Sequence, residues 1–250
     1  MEALTPEILE RTESTNLVAA ERARAGAPHG TAILAREQTG GRGRRGRSWS
    51  SPPNAGLYVS FVLRPRLPLA SAPLLTIAAG LAMVEAAEVL GAGHAVRLKW
   101  PNDLLVEGGP LHRHKLGGVL VDLSASGGAI EHAIVGIGLN LRRVAWPPEV
   151  ARLAAALEDL GAAAEPEAAY RPLAAALYDA LSTAETSPSA LLQRYQDRAA
   201  GLGEQVSIGD GEAPQEGRLV GFGPLGGLIL EAAGVQTTHY AGDLRLAGMP

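Results

Sequence analysis

The sequence lacks cysteine altogether and has almost no lysine. Without cysteine the protein cannot form a disulfide, a thiolate metal site or a thiol nucleophile, and this absence fits a reducing compartment. Of the 22 basic residues, only Lys99 and Lys115 are lysine. In a chain so biased towards arginine, a position that keeps lysine is a candidate for a role that needs a compact ammonium group rather than a planar guanidinium.

Long apolar runs and a basic excess are also missing. No run reaches the roughly 20 apolar residues of a membrane span, because Glu85 and Glu88 interrupt the nearest one, residues 69–90. Residues 1–11 carry acids among their apolar residues and do not resemble a signal peptide. The net charge of -4 disfavours bulk nucleic-acid binding. We therefore expect a cytoplasmic protein that does not enter a membrane.

The first half of the chain alternates strands and helices around one long loop. The predicted elements, in chain order, are a helix from 14 to 25, a strand from 31 to 36, a loop from 38 to 56, a strand from 57 to 63 and a helix from 69 to 90. Ser14, Thr15 and Asn16 open the first helix with side chains that can cap free N–H groups, and Gly26 and Gly91 end the two helices.

The second half predicts a sheet, a helical region and a small β domain. Four strands are expected at 95–99, 104–107, 116–123 and 129–139, helices at 148–200, and short strands at 205–208, 216–222, 227–231 and 244–246. The helices are expected to cover one face of an antiparallel or mixed sheet. We therefore predict an α+β fold in two domains, residues 1–200 and a β-barrel at residues 201–250.

The loop contains the letters GRGRRG at residues 41–46, which match the G-x-G-x-x-G dinucleotide fingerprint. That fingerprint requires a helix after the loop to receive the pyrophosphate, whereas here residues 47–53 lead into a predicted strand. No acidic residue follows about 20 positions on, and none of the other protein-kinase motifs is present. A dinucleotide oxidoreductase and a kinase are therefore disfavoured.

Three interpretations of the loop remain possible from its residues alone. Four arginines in six positions and Trp49 suit an RNA contact with a stacked base. A solvated basic loop without a ligand is a second reading. The glycine spacing favours a third, a site for a compact anion, since glycine lets backbone N–H groups approach a carboxylate or phosphate while arginine adds charge.

Three further segments combine polar groups with turns or glycine. Residues 99–103, KWPND, place a cation, an aromatic ring, an amide and a carboxylate between two predicted strands, although an ordinary turn accounts for much of this segment. Residues 114–122 set Lys115 at the start of a strand with two glycines, and residues 136–140, GIGLN, end a strand with an amide. Each segment alone is a weak signal.

Together and in this order, residues 14–16, 38–49, 99–104, 115–120 and 136–140 closely resemble the biotin protein ligases. The resemblance spans residues 14–140. It implies a catalytic domain built like the class II aminoacyl-tRNA synthetase core, followed by an SH3-like domain. Members that also repress transcription carry an N-terminal DNA-binding domain, and this sequence leads us to expect a ligase without one and without DNA as a partner.

The resemblance implies that the enzyme joins biotin to ATP, with Mg²⁺ on the phosphates, and passes biotin from biotinyl-5'-AMP to a lysine of a biotin carboxyl carrier protein. The implied catalytic residues are Lys115, Arg42 and Asp103. The implied biotin contacts are Ser14, Thr15, Asn16, Gln38, Gly41, Arg42, Gly43, Arg44, Lys115 and Gly117. The implied ATP contacts are Arg44, Arg45, Arg47, Trp49, Asn102, Lys115 and Asn140.

Several points stay open in this interpretation. Asp103 either deprotonates the acceptor lysine or only positions it. Residues 40–50 are expected to be mobile and to order with biotin. The oligomeric state is undetermined, with a homodimer as one alternative. A lipoate ligase or octanoyltransferase is the rival of the same superfamily, and His112 and His114 are expected to lie on a solvated turn rather than to bind a metal.

Overall fold

The fold is described for residues 5–209 and 214–249 of a computed structural model. Residues 1–4, part of the stretch tested for a signal peptide, lie outside the described residues, as do residues 210–213 and 250 of the predicted C-terminal domain. The larger sheet has seven strands: β1 (Glu7–Leu9), β2 (Thr31–Ala35), β3 (Gly56–Leu63), β4 (Val96–Lys99), β5 (Asp103–Val106), β6 (Lys115–Ser126) and β7 (Ala129–Asn140).

The strands of the larger sheet lie in the order β1-β2-β3-β7-β6-β5-β4. The β1–β2 pairing is parallel and the other five pairings are antiparallel, so the predicted mixed sheet is confirmed. Gly127 and Gly128 form the turn between β6 and β7 with positive φ, as a two-residue hairpin turn requires. The sequence did not predict β1, because three residues with mostly exposed side chains carry no readable period.

Five α-helices accompany this sheet: α1 (Thr15–Arg24), α2 (Pro73–Ala87), α3 (Pro148–Ala151), α4 (Pro166–Thr186) and α5 (Pro188–Gln196). The predicted helix over residues 69–90 is confirmed as α2. A 3-10 turn at Leu69–Ser71 precedes α2, and a π turn at Glu88–Ala92 follows it. Gly91 has φ +107, which explains why a residue without Cβ ends the helix.

The two faces of the sheet are covered by different helices. Helix α1 packs on β2, β3 and β7. The small apolar cluster there contains Ala19, Ala23, Ile33, Val62 and Ile134. On the other face α2 lies directly against β4, β5, β6 and β7, and α4 packs on α2 and on β3. The predicted helical region, residues 148–200, therefore covers this face in part, through α4 on β3 and on α2, while α2 itself provides most of the direct cover.

The segment Leu69–Ala92 is long and apolar enough to cross a membrane, by length and composition. Buried positions make up 67% of its most apolar window. In α2 the side chains of Leu74, Leu81 and Met83 are almost fully inaccessible, because the sheet lies on one side and α4 on the other. The position of α2 in the core accounts for a helix that is apolar on every side.

The smaller sheet is formed by β8 (Gln205–Gly209), β9 (Gln215–Phe222), β10 (Leu228–Ala232), β11 (Val235–His239) and β12 (Asp243–Leu246), in the order β11-β10-β9-β8-β12. All four pairings are antiparallel. The expected barrel is not closed, since β11 and β12 are opposite edges and do not pair within the described residues. The sequence did not predict β11, which is polar and half exposed.

One apolar core runs through both sheets. Leu219, Leu230 and Leu244 of the smaller sheet belong to the same buried cluster as the residues of α2. The Trp100 indole N–H, in the β4–β5 turn, donates a buried hydrogen bond of 2.8 Å to the Gly226 carbonyl between β9 and β10. This hydrogen bond therefore links the smaller sheet to the larger one beside the turn that carries the KWPND motif.

Candidate active site

A pocket of about 890 Å³, including its open mouth, lies on the α1 face of the larger sheet. The start of α1, the loop between β2 and β3, the β4–β5 turn, the centres of β6 and β7, and the start of β12 form its walls. Twelve of the predicted site residues line it: Ser14, Thr15, Asn16, Gln38, Arg42, Gly43, Arg44, Arg47, Trp49, Asn102, Asp103 and Lys115. The scattered motifs therefore meet in one place.

One end of the pocket is neutral and rich in hydrogen bonds. The Gln38 side-chain carbonyl accepts a bond of 2.8 Å from the Thr15 backbone N–H, and the Gln38 amide donates to the Ser51 hydroxyl at 2.8 Å. The buried Ser60 hydroxyl, on β3, donates to the Asn16 side-chain carbonyl at 2.6 Å and lies 2.7 Å from the Thr15 hydroxyl. This network holds the polar groups of α1 in fixed orientations.

The prediction that Ser14 caps α1 with its side chain is wrong. Ser14 occupies the N-cap position with an extended backbone, but its side chain makes no capping hydrogen bond. The first helical N–H, that of Thr15, is instead satisfied by Gln38 from the loop after β2. The Ser14 side chain is 2% exposed and lines the pocket. A tertiary contact has replaced the local cap.

Two glycines of β7 let side chains from other elements lie directly on the strand. A Cβ at Gly136 would collide with the Asn16 side chain, and a Cβ at Gly138 would lie 2.6 Å from the Trp49 indole. At either position a Cβ would force the neighbouring side chain to move. The two glycines of the GIGLN motif thus leave room for the Asn16 and Trp49 side chains against β7.

The other end of the pocket is centred on Asp103. Its carboxylate lies 2.6 Å from the ammonium of Lys115 and 3.3 Å from that of Lys99, so the two lysines of the chain share one acid. Burial alone would raise the pKa of Asp103, but the positive charges of Lys115 and Lys99 outweigh it and hold the pKa below its usual value. Asp103 is therefore ionised at neutral pH.

A register shift in the sheet points Lys115 into the pocket. Along β5, Leu104 pairs with Gly117 and Leu105 pairs with Lys115, so β6 has one extra residue at this point. A Cβ on Gly117 would meet Met83 of α2, whereas the Lys115 ammonium lies beside Gly118 and 5.3 Å from the centre of the Trp49 ring. Without the bulge, Lys115 and Gly117 would face the same side of the strand.

The arginine-glycine loop forms a compact hairpin. Backbone hydrogen bonds join Gly43 N–H to the Arg47 carbonyl at 2.7 Å and Trp49 N–H to the Gly41 carbonyl at 2.8 Å. A 3-10 turn at Arg44–Gly46 forms its tip, with Arg45 at φ +58. The composition of residues 38–56 predicts an exposed loop, but Gly41, Ser51 and Ala55 are buried. Backbone hydrogen bonds within the loop therefore define its hairpin conformation.

Arginines of the loop bind two other parts of the pocket wall. The Arg44 guanidinium donates a bond of 2.9 Å to the Asn102 side-chain carbonyl in the β4–β5 turn. Arg47 lies 2.7 Å and Arg45 3.3 Å from the Asp243 carboxylate at the start of β12. Burial raises the pKa of Asp243, but Arg47, Arg45 and Lys99 together leave it below its usual value.

Four predicted site residues do not line this pocket. Gly41 is packed between the Trp49 carbonyl and the Ser51 side chain, and Gly117 faces α2. Arg45 projects to Asp243 from the outer side of the loop. Asn140 is buried and donates a bond of 2.9 Å to the Ala155 carbonyl. Sequence matching alone did not show which way these side chains point.

The sequence also missed residues that the fold brings to the site. Ser60 sits inside an otherwise apolar strand, and a polar residue in such a run was the signal that could have marked it. Lys99 was noted for its rarity but was not placed in the site. Asp243 lies in a segment without any motif, so nothing in the sequence marked it.

The geometry matches an anion-binding pocket more closely than a metal centre. Five basic and two acidic side chains line it, so its net charge is positive. No cluster of three or more histidine, aspartate or glutamate side chains occurs in the part of the chain that the structure describes. The Trp49 indole N–H is buried and has no hydrogen-bond partner within residues 5–209 and 214–249.

Residues 8–140 match the Biotin/lipoate A/B protein ligase family. A biotin acetyl-CoA-carboxylase ligase of Paracoccus denitrificans is 37% identical over 249 residues, which cover 96% of this chain and 100% of the relative. The bifunctional ligase/repressor BirA of Bacillus spizizenii is 38% identical over 146 residues, 58% of this chain but only 43% of that protein. This chain thus matches less than half the length of the bifunctional relative.

A solved structure agrees along nearly the whole chain. The biotin protein ligase from Aquifex aeolicus in complex with biotin and ATP superimposes with a TM-score of 0.79 and 29% sequence identity, covering 96% of this chain and 97% of that one. The predicted α+β fold is therefore confirmed. The chain belongs to the biotin/lipoate A/B protein ligase family and groups within it with the biotin protein ligases.

Proposed function

We propose that this protein activates biotin with ATP and transfers the activated biotin to a lysine of a biotin carboxyl carrier protein or domain. The observation that carries the proposal is the division of one pocket into a neutral hydrogen-bonding end and a cationic end. Biotin has a neutral polar ring system and an anionic carboxylate, which suits this division. The ligands named for the Aquifex aeolicus structure, biotin and ATP, support the same assignment.

The neutral end is suited to the ureido group of biotin. Ser14, Thr15 and Gln38 offer hydroxyl and amide groups there, and Asn16 and Ser60 hold them in place. A site whose polar groups are already oriented loses little entropy when a ligand replaces their partners. The carboxylate of biotin then extends towards Lys115 and the loop residues Arg42 and Gly43.

In the first step two anions meet. An oxygen of the biotin carboxylate attacks the α-phosphorus of ATP, the bond to the bridging oxygen breaks, and pyrophosphate leaves with that electron pair. Arg42, Arg44, Arg47 and Lys115 line the same pocket, and we assign the three arginines to the phosphates and Lys115 to the biotin carboxylate and the α-phosphate. Fixed cations lower the barrier because they oppose the repulsion at the point where charge accumulates.

Asp103 acts in this proposal by holding the lysines. An acid whose pKa is lowered by two ammonium groups is a poor acceptor for a proton. Its carboxylate instead holds the ammonium group of Lys115 in position and forms a second ion pair with Lys99. In the second step the neutral acceptor amine attacks the acyl carbon of biotinyl-5'-AMP, AMP leaves with the electron pair of the acyl–oxygen bond, and the proton lost from the nitrogen passes to water or to the departing phosphate.

Mg²⁺ enters the proposal as part of the MgATP substrate. The described residues contain no carboxylate cluster for a resident ion, and Asp103 is occupied by lysine. In this proposal the phosphates of ATP carry the ion into the pocket. Trp49, Asn102 and Asn140 remain proposed for the nucleotide, although Asn140 does not line the pocket and donates one amide hydrogen to the Ala155 carbonyl.

The wider proposal has a class II synthetase-like catalytic part and an SH3-like C-terminal part, divided near residue 200. Five short antiparallel strands in about the last 45 residues support the second element, although the sheet is open. The name of the Paracoccus denitrificans relative supports a carboxylase carrier as the partner. The absence of cysteine is consistent with the cytoplasm.

The decisive experiment incubates the protein with MgATP and either biotin or lipoate and detects the acyl-adenylate by mass spectrometry. We expect biotinyl-5'-AMP and no lipoyl-adenylate. Adding a carrier domain should consume the product and increase the carrier mass by one biotinyl group. Formation of lipoyl-adenylate alone would assign the chain to the rival branch of its family, and no adenylate with either acid would overturn the proposal.

A further inference from the structure

The C-terminal sheet contributes a carboxylate to the cationic pocket. Asp243 is the first residue of β12 and lines the pocket together with Leu244. One oxygen lies 2.7 Å from an Arg47 nitrogen and the other 3.3 Å from an Arg45 nitrogen. A single acid from the second sheet therefore joins two arginines of the loop from the first.

In the cluster formed by Asp243, Arg45 and Arg47, the backbone fixes the position of the Asp243 carboxylate. Leu244 and Leu246, the next inward-facing residues of β12, are buried in the common core. Gly242, just before β12, allows the backbone to pass Ile208 where a Cβ would lie 2.7 Å from that side chain. The Arg47 side chain is 70% exposed. The strand thus sets the position of the acid, and the more exposed Arg47 side chain has room to adjust to it.

The ion pairs of Asp243 differ from an ordinary surface ion pair. On the same sheet, Arg218 and Glu231 form a pair at 2.8 Å that lies away from the active-site pocket. Asp243 differs because it binds two guanidinium groups and lies inside a pocket whose other charges are mostly positive. An acid repels a phosphate, so its presence there needs a compensating contribution, which the orientation of two cations supplies.

We propose that Asp243 is a positioning residue of the ATP site, which holds Arg45 and Arg47 at the mouth of the pocket so that Arg47 can meet the phosphates. This inference rests on the proposed function. It gives the C-terminal sheet a part in nucleotide binding that its sequence does not reveal. A guanidinium has five N–H donors, so Arg47 can bind the carboxylate on one edge and a phosphate on the other.

The test measures steady-state adenylate formation by the full chain and varies ATP and biotin separately. Asp243→Asn should raise the KM for ATP about two- to fivefold, the range for a partly exposed charge pair. The KM for biotin should not change, and Asp243→Glu should restore most of the affinity for ATP. Glu231→Gln, which removes the pair with Arg218 on the same sheet, is the matched control and should behave as wild type.

A double-mutant cycle with Arg47→Gln separates positioning from general stability. If Asp243 acts through Arg47, the double variant should bind ATP no more weakly than Arg47→Gln alone. Additive losses, an unchanged KM for ATP in Asp243→Asn, or equal rises in both KM values would each overturn the inference. Those outcomes require an active wild-type enzyme, whereas a wild type that forms no adenylate contradicts the proposed function itself.

Discussion

At the scale of single residues, the arrangement around Asp103 explains why two lysines persist in an arginine-rich chain. Both ammonium groups approach the same carboxylate, at 2.6 Å and 3.3 Å. Two planar guanidinium groups need more room and would direct their donors along fixed forks. Lys115 must also fit between Asp103 and the face of Trp49. A compact ammonium satisfies both neighbours at once.

Lys115→Ala is predicted to reduce adenylate formation about 10²- to 10³-fold, the usual effect of removing a group that stabilises transition-state charge. Lys115→Arg keeps the charge and should recover only a small part of the rate, because the guanidinium does not fit the same space. Pyrophosphate release under saturating biotin and ATP is the measurement, with circular dichroism to confirm folding. Near-normal release by Lys115→Ala would contradict the assignment.

The lowered pKa of Asp103 predicts a specific loss of stability in acid. Because the folded-state pKa lies below the unfolded value of about 3.9, the contribution of Asp103 is fully present above that value and disappears as the pH falls through the folded pKa. Asp103→Asn should therefore show a flatter fall of unfolding free energy between about pH 5 and pH 2. Urea titrations at each pH measure it, and parallel curves for the two proteins would refute it.

At the scale of elements, β6 and β7 carry irregularities that serve the pocket. The bulge near Leu116 turns Lys115 to the pocket side, and Gly136 and Gly138 let Asn16 and Trp49 rest on the strand. These strands are otherwise apolar and regular where they cross the core. The departures from a regular strand therefore coincide with the positions where the pocket needs space or a redirected side chain.

Gly138→Ala is predicted to displace the Trp49 ring, because the new Cβ would lie 2.6 Å from the indole. Overpacking of this kind costs ~1–3 kcal/mol of stability, and if displacement of the ring removes the same free energy from nucleotide binding, the KM for ATP rises about 5- to 150-fold. Tryptophan fluorescence and adenylate kinetics measure the two effects. Gly80→Ala in α2, where the Cβ would meet only ordinary contacts, is the control and should change neither. Unaltered fluorescence and KM in Gly138→Ala would rule out the predicted contact.

At the scale of the whole molecule, two sheets share one core and one pocket. The apolar cluster is continuous from α2 to β12, and Trp100 bridges to Gly226 across the boundary between the sheets. Asp243 extends the same connection to the arginine loop. The two sheets should therefore fold and unfold together rather than as independent units.

Trp100→Phe keeps the ring but removes the hydrogen bond to Gly226. We expect a loss of about 1–3 kcal/mol in unfolding free energy, since the buried carbonyl is left without its donor. Unfolding should nevertheless remain a single transition in both wild type and variant. Denaturant titration followed by far-ultraviolet circular dichroism and by fluorescence tests this, and two separated transitions in the wild type would show that the sheets are independent.

The sequence by itself determined most of the elements and the composition of the pocket. Alternating and continuous apolar runs predicted six of the seven strands of the larger sheet, since burial imposes those patterns locally. The rarity of lysine marked Lys115, and the resemblance of the ordered motifs to the biotin protein ligases predicted Lys115, Asp103 and Gln38 as site residues. Such signals depend on nearby residues and can be read without the fold.

Only the tertiary structure decided which side chains reach the site. Gln38 replaces the expected Ser14 cap, Asn140 faces Ala155, and Asp243 arrives from a segment without a motif. Each outcome depends on contacts between residues at least 15 positions apart, and a bulge of one residue reverses the face of a strand. Local sequence patterns carry no information about such contacts. Only the packing of the two sheets therefore determines which residues pair with the arginine loop.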